Sequence, residues 1–179
     1  MIRSFDGKTP RIAKSVFVSE CAYIVGDVEI GEHSSVWPGA VIRGDFGSVR
    51  IGNNSHIEDN AVLHAWDYLE IGDNVTIGHG AVVHCLKIGD SVLVGINATL
   101  LDDAEIGDNC IIAANSMVST GRKIPENSFV AGIPARIKKG LSSNEIYLRM
   151  RDRYIKSKRQ QADQLTYADL ASRYKQQGL

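Results

Sequence analysis

Three of the five histidines in the 179-residue chain, His64, His79 and His84, fall where the aliphatic rhythm of the sequence stacks them. Imidazole nitrogen is a ligand for zinc and similar divalent cations. His64 follows Leu63 and His84 follows Val83, outward positions on successive turns of a repeat. Rings on adjacent strands that point the same way lie about 4.8 Å apart and can converge on one small cation. His79 sits at the corner after Ile77, directly above Asp59, on a neighbouring row, and cannot easily reach around its own chain to join the other two. A second copy resolves this: in a three-fold assembly one face of each protomer meets a different face of the next, so His64 and His84 of one protomer would meet His79 of its neighbour. Three histidines with an open fourth position make a catalytic rather than a structural zinc site, because structural sites are closed by four protein ligands. His33 and His56 do not join the set.

The stacking follows from a period of six. Ile12, Val18, Ile24, Ile30, Val36 and Ile42 keep that spacing, and it restarts at Ile51, at Ile71 and at Ile88, the last run reaching Ile124. Six is neither the 3.6 of a helix nor the two of a strand, and it marks a solenoid whose hexads each supply a short strand and a tight turn. Two residues before each aliphatic comes a small or β-branched residue, such as Ala22, Ser55, Ala81, Ala98 or Cys110, and residues two apart share a strand face, so both point inward. Glycines such as Gly52, Gly72 and Gly89 follow the aliphatic directly and are often followed by Asp or Asn, types that tolerate the left-handed backbone of sharp corners. Three hexads close one triangular coil, so the nineteen aliphatic positions predict about six coils. Extra residues enter between Ile42 and Ile51 and between Leu63 and Ile71, and one is missing between Val83 and Ile88; such insertions mark the working side of a solenoid.

The reading divides the chain into a β-helix domain over residues 1–140 and a helical extension over 141–179, with helices from about Ser142 to Gln161 and from Thr166 to about Gln176. Thr166 and Asp169 make a capping-box-like opening of the second. An apolar stripe of Ile146, Met150 and Tyr154 would lay the first on the solenoid. The net charge of −1 hides an asymmetry: residues 1–135 carry nine Lys plus Arg against seventeen Asp plus Glu, and the remainder eleven against four. The basic tail lacks the interleaved aromatics of a single-strand nucleic-acid platform, so it is expected to pack on the acidic body. No membrane-spanning run or signal peptide is found, which points to a cytoplasmic protein. The three cysteines have no metal-type spacing, and Cys110 reads as a buried thiol.

The segments Val41-Ile42-Arg43-Gly44-Asp45, Ile57-Glu58-Asp59-Asn60, Leu63-His64, Ile77-Gly78-His79 and Val83-His84 closely resemble the gamma-class carbonic anhydrases, over residues from about 5 to 140. The resemblance implies an all-β, left-handed parallel β-helix, a homotrimer, and interfacial metal sites holding Zn2+ or Fe2+ on His64, His79 and His84. It also implies that Arg43 and Asp45 form a structural ion pair near the subunit contact and that Asp59 stands beside the metal. Two departures are visible. Glu58 stands where many members have glutamine, and a carboxylate only accepts hydrogen bonds unless protonated. The acidic loop whose glutamate is thought to carry protons in the founding members is reduced to Ala65–Glu70, leaving Asp67 and Glu70 for that role.

The activity implied is reversible hydration of carbon dioxide to bicarbonate by a metal-bound hydroxide, slow or buffer-dependent for want of the usual proton carrier. The rival readings are a coenzyme A-dependent acyltransferase or a metal-dependent thioesterase on the same solenoid, and a non-catalytic metal-binding scaffold that keeps the trimer contact. An acyltransferase needs one basic histidine beside a groove and has no use for three on a metal.

Overall fold

A computed structural model of the chain describes residues 1–142 and 167–177. Successive hexads form two-residue strands that hydrogen-bond in parallel to the strand one coil away, giving a parallel β-solenoid whose outer wall has three faces. The first face carries Phe17–Val18, Ser35–Val36, His56–Ile57, Thr76–Ile77, Leu93–Val94, Ile111–Ile112 and Ser128–Gly132. The second carries the register Ile24, Ile42, Leu63, Val83, Leu100, Val118, the row expected from the hexad count. The third carries Ile12, Ile30, Ile51, Ile71, Ile88, Ile106 and Ile124. The longer strands Tyr23–Ile30 and Val41–Ile51 run unbroken from the second face onto the third, which joins those faces into one sheet. The second of these takes up the residues inserted after Ile42.

The aliphatic residue of each hexad and the small residue two before it fill one continuous core: Ile24, Ile42, Ile57, Leu63, Ile77, Val83 and Leu100 have no exposed surface, and Ala40, Ala61, Ala81 and Ala98 close the corners. The corners divide the work differently from the sequence expectation. The left-handed backbone falls three residues after the aliphatic, at Asn54, Asn60, Asn74, Asn97, Asn109 and Asn115 among others. The glycine directly after the aliphatic answers a different need, close approach: a Cβ on Gly72 would lie 2.2 Å from Asp90 Oδ1 and 2.9 Å from the backbone of Gly89. That aspartate accepts the backbone N–H of Asp73 at 2.8 Å, and Asp108 accepts that of Asp90 at 2.9 Å, so the corners are bonded coil to coil.

The outward rows of the three faces differ in chemistry. On the second face they are Tyr23, Val41, Val62, Val82, Thr99 and Met117, a largely apolar stripe in register. On the third they alternate in sign without a break: Arg11, Glu29, Arg50, Glu70, Lys87, Glu105, Lys123. Each residue of this row directly precedes its aliphatic. Arg11 pairs with Glu29, Arg50 with Glu29 at 3.5 Å, Lys87 with Glu70 at 3.9 Å and Lys123 with Glu105 at 2.9 Å. At cross-strand spacing like charges would repel, so alternation lets a wholly charged wall stack.

The last coil is closed by Ala135–Ser142, which turns back and pairs antiparallel with Ser128–Gly132, an element the hexad rhythm does not announce because the rhythm ends before it. The helix expected beyond Ser142, with its stripe of Ile146, Met150 and Tyr154, lies outside the described residues. The second expected helix spans Tyr167–Gln177 and covers the first two coils of the first face. Its Tyr174 ring lies 5.6 Å from the rings of both Phe17 and Trp37, with Ala171 buried between the layers. Lys175 in its last turn, where a cation suits the helix dipole, donates to the Ser15 carbonyl at 3.0 Å.

Two expectations follow. Glu70→Lys places three cations in succession and should lower stability in urea by about 1 kcal/mol at low ionic strength, with most of the loss recovered at high salt. Asp27 lies 2.7 Å from Arg50 and 3.3 Å from Lys8. Its partial burial pushes the carboxyl up, but these two cations together outweigh that and hold it below the usual carboxylate range. A depressed folded-state value stabilises above the unfolded value, so wild type should exceed Asp27→Asn in stability at neutral pH, and the gap should close as pH falls below about 4.

Candidate metal centre

The parallel register sets Arg43 beside His64 at the end of Val62–His64, and His84 follows Val82–Val83 one coil on. Their side chains leave the second face at its edge with the third. The two imidazoles have centroids 5.1 Å apart, and His64 Nδ1 lies 3.1 Å from His84 Nε2. The outer nitrogens meet carboxylates: His64 Nε2 is 3.1 Å from Asp45 Oδ1, and His84 Nδ1 is 2.9 Å from Asp102 Oδ1. Arg43 donates through Nε to Asp45 at 3.0 Å and approaches His64 Nε2 with Nη2 at 3.4 Å. Burial alone would raise the Asp45 carboxyl, and the bond and charge of Arg43 more than reverse it. Burial, followed by the Arg43 charge, pushes His64 below the ordinary histidine value, favouring the neutral ring.

His79 sits at the opposite edge of the second face, after Thr76–Ile77. Its Nδ1 is 2.9 Å from Asp59 Oδ2 and its Nε2 is 3.2 Å from Glu58 Oε2, while Glu58 also accepts the His79 backbone N–H at 3.0 Å. Glu58 is 7% exposed. Thus His64, His84, Asp45 and Arg43 form one cluster and His79, Asp59 and Glu58 another. Among the described residues of one chain no three His, Cys, Asp or Glu side chains converge on a cation.

The donor chemistry of the first cluster fits a divalent metal. Two ring nitrogens face each other at hydrogen-bond distance, their opposite nitrogens are occupied by carboxylates, and such carboxylate–histidine pairs orient metal-binding imidazoles. Two ring nitrogens alone would leave the coordination of such an ion incomplete. Cys85, next to His84, is no candidate: it is 1% exposed, points into the core, and burial pushes its thiol up to about 12. Burial also raises the Cys110 thiol.

Three features were not singled out in the sequence. Asp102 comes from the turn below His84, off the row that the hexads define, although its position two residues after Leu100 was visible. Phe46 and Trp66 stack at 5.1 Å and 14°, are 65% and 70% exposed, and form an aromatic lip with Phe46 edge-on to His64 at 6.0 Å. Finally, an apolar groove of about 650 Å3 runs along the first face from Glu58 and His79 past Leu93, Ile96 and Ile111 to Phe129. Glu70, one of the two acidic residues considered for proton transfer, faces outward in the charged row of the third face.

The chain matches the family described as Bacterial transferase hexapeptide (six repeats) over residues 9–44 and 86–120. It is 52% identical over 137 residues to a Methanocaldococcus jannaschii protein named "Probable carbonic anhydrase", covering 75% of this chain and 86% of that one. It is 38% identical over 154 residues to the mitochondrial gamma carbonic anhydrase 2 of Arabidopsis thaliana, covering 82% of this chain but 55% of that protein, so the chain spans about half the length of the plant relative. Among solved structures it resembles a hexapeptide transferase family protein from Anaplasma phagocytophilum, with a TM-score of 0.77 and 31% identity over 89% of this chain and 97% of the other. The chain belongs to the gamma-class carbonic anhydrase family of hexapeptide-repeat proteins. Among the described residues no helix is long and apolar enough to cross a membrane.

The burial of the two inner cysteines gives a direct check. At pH 8 a thiol reagent should titrate one residue, the exposed Cys21, in the folded protein and three after denaturation, since Cys85, pushed up to about 12, is only about one part in ten thousand thiolate there and Cys110 is buried with its thiol likewise raised.

Proposed function

We propose that the protein is a trimeric, metal-dependent carbonic anhydrase whose centres lie between protomers and take His64 and His84 from one chain and His79 from the next. The observation that carries this reading is the 3.1 Å approach of His64 Nδ1 to His84 Nε2, two ring nitrogens turned toward each other. Support for the assembly comes from the apolar outward row of the second face, which lies between the two histidine edges and contrasts with the charged row of the third. Packing second faces around a three-fold axis buries that stripe and brings opposite edges of neighbouring chains together.

A divalent ion such as Zn2+ or Fe2+, when bound, supplies the Lewis acidity that lowers the pKa of a water to about 7 and so provides a nucleophile for carbon dioxide near neutral pH. His64 and His84 offer their facing nitrogens, and Asp45, tied to Arg43, holds the orientation of the His64 ring. Asp59 does the same for His79 through Nδ1, leaving Nε2 to exchange its Glu58 contact for a ligand. Glu58, freed from that ring contact, can accept a hydrogen bond or a proton on that side and keeps its bond to the His79 backbone. Phe46 stands edge-on to His64 with Trp66 stacked against it, an apolar wall beside that ring. With Glu70 engaged in the charged row, Asp67 is the remaining acidic residue of the 65–70 segment for proton export, and turnover should depend on buffer.

The apolar groove beside His79 favours a second reading. Its volume of about 650 Å3 is far more than carbon dioxide needs and suits the acyl arm of a thioester. The two activities separate in one set of assays on zinc-loaded and anaerobically iron-loaded trimer. Carbon dioxide hydration that rises with buffer concentration, is abolished by chelator, and falls at least about a hundredfold in His79→Ala with trimers intact is the expected result. Chelator-sensitive hydrolysis of acyl-coenzyme A without hydration would favour the thioesterase instead. Metal binding that His79→Ala weakens, with neither activity in wild type, would favour the scaffold.

A further inference from the structure

We propose that Asp102 is a positioning residue for the metal: it fixes the tautomer of His84 so that Nε2 carries a bare lone pair, and supplies the negative charge that draws a divalent cation to the pair. The inference rests on the metal reading above. An ionised carboxylate only accepts, so the 2.9 Å contact from Asp102 Oδ1 requires the hydrogen of His84 to sit on Nδ1. A neutral ring protonated there is bare at Nε2, the nitrogen that faces His64.

The corresponding assignment at His64 is contested. Its Nε2 meets the Asp45 carboxylate at 3.1 Å, which calls for a hydrogen on that nitrogen, and also the Arg43 guanidinium at 3.4 Å, which has only hydrogens to offer. At His84, Asp102 alone among the described residues meets the outer nitrogen and the inner one faces the His64 ring, so Asp102 is the one charged group acting on its tautomer. The charges differ in the same way. Arg43 offsets Asp45, whereas among the described residues no lysine or arginine pairs with Asp102. The backbone holds it in place: the Asp102 carbonyl accepts the N–H of Gly121 from the next coil at 2.8 Å.

Two readouts on the full chain test this. In metal-free wild type, long-range proton–nitrogen NMR of the imidazoles near pH 7.5 should find the His84 hydrogen on Nδ1, and in Asp102→Ala the tautomers should mix. Zinc affinity, measured by competition with a chromophoric chelator, should fall about 10- to 100-fold in Asp102→Ala. It should fall less in Asp102→Asn, which keeps an acceptor and loses the charge. Asp103→Asn removes the same charge one residue away, at a left-handed turn position that asparagine accepts, and should stay within about twofold of wild type. Sedimentation confirms that each variant assembles as wild type does. Equal zinc affinity in wild type and Asp102→Ala, or a hydrogen on Nε2 of His84 in the metal-free protein, overturns this inference alone. A wild type that binds neither zinc nor, under anaerobic conditions, ferrous iron overturns the metal reading together with it.

Discussion

Backbone hydrogen bonds between successive coils hold each side chain about one strand spacing from its counterpart, and the candidate chemistry depends on that spacing. The core leaves no room for slippage, because moving a strand by one residue would exchange Leu63 or Val83 for an outward neighbour and turn His64 or His84 inward. The buried aliphatic ladder therefore sets the distance between the two imidazoles, and the corner aspartates that bond coil to coil keep the ladder in step. The facing pair of imidazoles is a by-product of a register that the core enforces for its own reasons.

The three faces show how one backbone plan can carry three surface tasks. Inward positions repeat almost unchanged, while the outward residue before each aliphatic is free to vary. On the first face it is Phe17 under the C-terminal helix and Thr76, Leu93, Ile111 and Phe129 along the groove, on the second mostly β-branched, and on the third alternately cationic and anionic. The two histidine clusters occupy the two edges of the apolar second face, so its apolar outward row separates them within one chain.

Much of this was legible in the sequence because a period of six converts chain position into place. The row Ile24, Ile42, Leu63, Val83, Leu100, Val118, the adjacency of His64 to His84 and the stacking of His79 over Asp59 follow from counting, and the helix ending near Gln176 from its capping pattern. What escaped lies at corners, where the count no longer specifies direction. Asp102 reaches His84 diagonally from a turn, and the Phe46–Trp66 stack joins two insertions that interrupt the rhythm. The corner glycines meet the same limit: a sequence shows that glycine is required but not whether a dihedral angle or a neighbouring coil requires it.

The antiparallel return of Ala135–Ser142 ends the parallel stack of the first face. A stack of identical rungs presents, at its last rung, a row of unsatisfied amide and carbonyl groups able to recruit another molecule and grow end to end into a fibre. By folding back in the opposite direction, the chain pairs that row on the first face and breaks the run of parallel rungs there. On that face the parallel stacking stops at this strand, whereas Met117–Val118 and Lys123–Ile124 are the last rungs of the other two faces among the described residues.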